Sequence, residues 1–207
     1  MYVTLITGDK MTQAFRPLPN ITLSGHIPYS HVTMSGPSVT PEDPALEVLT
    51  DFRRVKAVTI SPDASIDACN QQMISHHVRL LLVVDEQQKV LGVITAADIL
   101  GEKPMQQMQK TGQGRDELQV RDLMTSAEAL EMIRLRDVEQ ARVGDIVETL
   151  IAHSRQHALV VDENDSSGKR ICGLFSANQI GKQVGIAVEP SDVAKTFSEL
   201  EKVIVAG

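Results

Sequence analysis

The stretch LLVVDEQQKVLGVITAADI (residues 81–99) returns, altered but readable, as LVVDENDSSGKRICGLFSANQI (residues 159–180). Asp85 corresponds to Asp162, an offset of 77 residues. The same offset relates the pattern Ile66, Cys69, Met73, Ile74 to Val143, Ile146, Leu150, Ile151, in each case the i, i+3, i+7, i+8 spacing of one apolar helix face. At the glycines, Gly92 and Gly173, the offset has grown to 81, so the second turn carries four extra residues. The segment NDSSGKR supplies them, and its Asn, Asp, Ser and Gly are turn formers. A repeat of this size means one supersecondary unit used twice, each copy too small to bury its apolar faces alone.

Each copy reads as a short extended piece (KAVTI, EMIRL), a capped amphipathic helix, a buried strand, a tight turn, a second strand and a new helix start. The fold class expected is therefore α+β, with two pseudo-symmetric βαββα units packed as a pair through the faces neither can cover alone. The units run over residues 47–119 and 120–188, with an N-terminal extension at 1–46 and a C-terminal helix at 189–207. Thr40-Pro41-Glu42-Asp43 has the pattern of a capping box with Pro at N1, which predicts a helix through about Phe52. The Gln- and Met-rich linker GEKPMQQMQKTGQGRDELQ predicts a short helix and an exposed loop. In the tail, Val193, Phe197, Leu200 and Ile204 share one helical face.

Composition narrows the function. With 207 residues, 42% hydrophobic and 23% charged, the chain has ordinary globular composition. Aromatic residues make up 3% with no Trp, and the net charge is -7, so base stacking and phosphate-backbone binding are both disfavoured. Cys69 and Cys172 lie in apolar-periodic segments without metal-ligand spacing, which points to core residues in a reducing compartment. No signal-like leader or span of sufficient length is present, so a cytoplasmic protein without membrane partners is expected. His76 and His77 are adjacent and lack a partner at i+4, so they read as helix-end polar residues. DENDSSGKR lacks the spacing of a calcium loop or a phosphate loop. No nucleophile–base set or metal set emerges, and neither an enzyme nor a resident cofactor is expected.

The polar pair Thr95 and Asp98 has two readings. Thr95 stands at an N-cap and Asp98 at N3, the arrangement of a capping box. The same helix start offers N–H donors to an anion, while a carboxylate can accept both hydroxyls of a ribose. In the second unit Ser176 keeps the hydroxyl but Gln179 replaces the Asp. A Gln still completes a capping box but is a poorer acceptor for a diol.

The Asp-terminated aliphatic strand, the hairpin and the signature Gly-apolar-apolar-Thr/Ser-x-x-Asp, present as GVITAAD and imperfectly as GLFSANQ, resemble a tandem pair of cystathionine-β-synthase-type (CBS) domains. VRDLMT (120–125) and, more weakly, VLTDF (48–52) resemble the phrase that opens such a repeat. The resemblance implies a regulatory module sensing an adenine nucleotide (AMP, ADP, ATP or S-adenosylmethionine) in the cleft between repeats. It places Thr95 and Ser176 on phosphate and Asp98 on ribose. Arg79 and His157 become candidate phosphate contacts, and Val58 to Ile60 and Met132 to Leu135 candidate walls for the base. It also implies a homodimer formed through the CBS helices. The alternative is a ligand-free scaffold for dimerisation or docking of a protein partner.

Overall fold

The computed structural model describes residues 39–164 and 168–185, together with Pro19. The expected C-terminal helix, and the N-terminal extension as far as residue 38 with the exception of Pro19, lie outside the described residues. The elements are β1 (Thr50–Asp51), β2 (Thr59–Ile60), α1 (Ile66–Ser75), β3 (Leu80–Val84), β4 (Val90–Thr95), α2 (Ala96–Leu100), α3 (Lys103–Thr111) and α4 (Val120–Leu123). They continue as β5 (Thr125–Ser126), β6 (Ile133–Arg134), α5 (Leu135–Val138), α6 (Val143–Ala152), β7 (His157–Asp162), β8 (Arg170–Ser176) and α7 (Ala177–Gln183). The mixed class and the two repeats expected from the sequence are both present.

Local sequence explains the main helices. Ser65 caps α1 by accepting the Ala68 N–H, and Ile66, Cys69 and Met73 form its buried stripe. Asp145 at N3 of α6 accepts the Arg142 N–H at 2.8 Å, and Val143, Ile146, Val147 and Leu150 are buried. Both helices leave through a residue in left-handed backbone, His77 at φ 54° and Ser154 at φ 51°, which are equivalent positions in the repeat.

The two four-stranded sheets have the orders β2-β3-β4-β5 and β6-β7-β8-β1. In each, the first pair is parallel, bridged by a helical crossover, and the other pairs are antiparallel. Each sheet takes its last strand from the other repeat. β5 lies beside β4 with Gly92 opposite Ser126, and β1 lies beside β8 with Thr50 opposite Leu174. The backbone bridges Ser65–Gln119 and Pro44–Arg142 form a second repeated pairing just outside the sheets.

All five residues of β3 are buried, and the pleat divides them. Leu81 and Val83 join Ile66, Cys69, Met73, Ile94 and Ile99 beneath the helices. Leu80, Leu82 and Val84 meet Val93 and Leu159 in a cluster bordered by Phe52, Met132, Ile171 and Leu174, which joins the two repeats. The second repeat has its own helix-side core, in which Val143, Ile146, Val147 and Leu150 of α6 meet Phe175 and Ile180.

The helix expected over 40–52 is not formed. The Thr40 N–H does bond the Asp43 carboxylate at 2.7 Å, but only a 3-10 turn, Ala45–Val48, follows before β1. The segment gives its hydrogen bonds to the approach to α6 instead: Ala45 N–H to Ala141 C=O, with Val143 and Gly144 N–H groups bonding Asp43 and Pro41 C=O. The linker forms α3, as its composition suggests. Cys69 and Cys172 are buried and free. Among the described residues, no helix is long and apolar enough to cross a membrane.

Candidate functional site

Thr95 ends β4 in extended backbone and caps α2. Its hydroxyl oxygen accepts the Asp98 N–H at 3.3 Å. Asp98 Oδ2 accepts the Thr95 N–H at 2.8 Å and the Thr95 O–H at 2.7 Å. The pair is therefore a complete capping box. The other carboxylate oxygen, Oδ1, lies 2.5 Å from Lys103 Nζ. Asp98 is 9% exposed and is the buried charged side chain among the described residues. Because α2 has only five residues, its dipole is small, and charge for an anion has to come from side chains.

His157, from the second repeat, lies within electrostatic reach of both Arg79 and Asp98 of the first. Arg79 precedes β3, and its carbonyl accepts the Ala96 N–H at 2.9 Å. His157 opens β7 opposite Ser176. Burial pushes the His157 imidazole down to about 4, the Arg79 charge adds to that fall, and Asp98 acts against it. His157 is thus neutral at pH 7 and offers hydrogen bonds rather than charge, which leaves Arg79 as the cation of the pair. Burial, with Asp98 nearby, pushes the Cys69 thiol up to about 11, so it is not a nucleophile at neutral pH.

The remaining candidates lie elsewhere. Val58 and Ile60 belong to the helix-side core of the first repeat, whereas Ala57, Leu130 and Met132 border the cluster between the sheets. Ser176 makes no capping bond, contrary to the capping box expected there. Gln179 is exposed and its Oε1 instead accepts the Thr50 O–H at 3.1 Å. The exchanged strand β1 brings that hydroxyl to the neutral amide. The two pseudo-equivalent positions are therefore chemically unlike. Lys103 was not marked by the sequence, since Gly101 separates it from α2 and no helical spacing links it to Asp98.

A separate cleft of about 240 Å³ lies at the other end of β7, lined by Arg53, Arg134, Arg136, Asp162 and Glu163 among others. Its arginines have carboxylate partners: Arg53 with Asp51 at 2.8 Å, Arg134 with Glu163 at 3.3 Å and Arg136 with Asp137 at 3.6 Å. Among the described residues no group of three or more His, Cys, Asp or Glu is placed to hold a metal ion.

Residues 49–104 match the family model of the CBS domain. No similar protein was found among curated sequences. Among solved structures, the chain is similar to an uncharacterised conserved protein from Pyrococcus horikoshii, at 20% identity and a TM-score of 0.51, over 73% of this chain and 98% of that one. It is also similar to CBSX2, a CBS-pair protein of Arabidopsis thaliana, in complex with AMP (20% identity, TM-score 0.47, 68% of this chain and 94% of that one). A third is a CBS domain pair in complex with 5-methylthioadenosine and S-adenosyl-L-methionine (19% identity, TM-score 0.49, 70% and 98%). The matched segment runs from β1 into α3, and the second unit repeats its strand pairing and its exchanged edge. Residues 49–104 thus match a CBS domain, and the second unit repeats the sheet topology of that segment.

Proposed function

We propose that the pair is a regulatory, non-catalytic module that takes an adenine nucleotide or a relative such as S-adenosylmethionine at the site built on Thr95 and Asp98. The observation that carries this reading is a buried carboxylate in the electrostatic reach of His157, which also feels Arg79, so that both repeats contribute. In this reading Asp98 accepts the ribose hydroxyls, Arg79 supplies positive charge for phosphate, and neutral His157 hydrogen-bonds. The apolar border residues Leu130 and Met132 face the base. Ser176 and Gln179 do not make a second site of equal quality, because Gln179 is neutral, exposed and engaged with Thr50.

Calorimetric titration with AMP, ATP and S-adenosylmethionine tests the reading. Asp98→Asn weakens binding by about 2 kcal/mol, the scale of hydrogen bonds to a charged group. It also costs about 1 kcal/mol of stability, because the carboxylate serves Thr95 and Lys103. Thr95→Ala loses a similar amount of capping stability along with affinity. Wild-type affinity in Asp98→Asn sinks the reading. The competing reading, a ligand-free scaffold, is favoured by the internal satisfaction of both Asp98 oxygens, and a lack of thermal shift with all three compounds supports it.

The homodimer is proposed through the helices of the first repeat, where Ile74, Leu100 and Met105 are 59%, 65% and 59% exposed. Light scattering of the full chain shows a dimer at micromolar concentration. A monomer there counts against it.

A further inference from the structure

We propose that Lys103 is an internal competitor for the carboxylate that receives the sugar, and that α3, which carries it, is the element a bound nucleotide releases. This rests on the reading of Asp98 as the ribose acceptor. Thr95 already donates twice to Asp98 Oδ2, through its N–H and its O–H. A carboxylate oxygen has two acceptor sites, so the open capacity lies on Oδ1, where the Lys103 ammonium stands at 2.5 Å. A ribose edge bringing two hydroxyl donors to this carboxylate while the cap stays intact meets that ammonium.

The exchange is physically easy in one direction. The Lys103 side chain is 47% exposed against 12% for Asp98, so the ammonium returns to water while the carboxylate stays buried. Its departure loosens more than one contact, because Nζ also donates to the Leu123 carbonyl at 3.4 Å. Leu123 ends α4, with one residue, Met124, between it and the exchanged strand β5. Lys103 thus ties together α2, α3 and the approach to that strand. Apart from this tie α3 is lightly held: of its nine residues only Pro104 is buried, with Met108 packing partly against the core.

The test is a calorimetric titration of the full chain with AMP, ATP and S-adenosylmethionine for wild type, Lys103→Met, Lys103→Arg and Asp98→Asn, with amide hydrogen exchange over residues 103–111. Lys103→Met binds AMP about fivefold tighter than wild type, and Lys103→Arg returns to the wild-type value. AMP speeds exchange in α3 of the wild type. Binding by Lys103→Met alone, with none by wild type, supports the competitor more strongly still. If Asp98→Asn loses binding but Lys103→Met binds no more tightly than wild type, the competitor is overturned and the Asp98 reading stands. If Asp98→Asn binds like wild type, or if neither wild type nor Lys103→Met binds AMP, ATP or S-adenosylmethionine, both fall.

Discussion

Gly92→Ala destabilises the chain by about 3 kcal/mol, at the upper end for overpacking a core, whereas Gly173→Ala costs about 1 kcal/mol. The two glycines are equivalent in the repeat but differ in what a methyl group meets. A Cβ on Gly92 stands 2.2 Å from the Thr125 carbonyl oxygen and 3.2 Å from Ser126 Cα, both in the backbone of the exchanged strand β5. Backbone held in a ladder cannot turn aside, so β4 and β5 have to separate. On Gly173 the nearest atom is Leu49 Cδ1 at 2.7 Å, the end of a side chain that can rotate, with the Thr50 oxygen next at 3.1 Å. Urea denaturation of the full-length variants measures both. Equal losses, or a wild-type midpoint for Gly92→Ala, would show that the crossing of β5 is not what requires this glycine.

That crossing marks the limit of what the sequence makes legible. The repeat, the hairpins and the main helices follow from periodicity and turn residues, because each is decided within about twenty residues of chain. The exchange of edge strands is decided by tertiary pairing, and β1 and β5 have two residues each, too few for an alternation to show. The same cause undid the capping box at Ser176: the hydroxyl that claims Gln179 comes from Thr50, 129 residues away. Residues 40–52 failed as a helix for a related reason. Their starting signal is real, but the backbone beyond it is satisfied by the approach to α6. At the site, spacing alone marked the Thr95–Asp98 cap. It could not reveal Lys103, whose contact depends on the angle between two short helices, or the desolvation of His157, which depends on tertiary burial.

That desolvation makes stability depend on pH in a defined window. His157 has an ordinary value of 6.5 and is held at about 4 in the fold, by burial first and by Arg79 second, with Asp98 opposing. As pH falls below 6.5 the unfolded chain takes up a proton that the folded chain refuses, so the unfolded state gains. The stability associated with neutral His157 is full above pH 6.5 and is lost progressively down to about pH 4, by about 3 kcal/mol in all. Below that the folded state protonates as well and the loss levels off. Asp51 titrates in a different window. Its hydrogen bond with Arg53 holds it below its ordinary 3.8, so its contribution disappears only at more acid pH. Urea midpoints at pH 7, 6, 5 and 4.5 therefore fall in the wild type and stay nearly level in His157→Gln. If the variant loses stability over this range as steeply as the wild type, the acid sensitivity belongs to other groups, and His157 is not the desolvated base that links the two repeats beside Asp98.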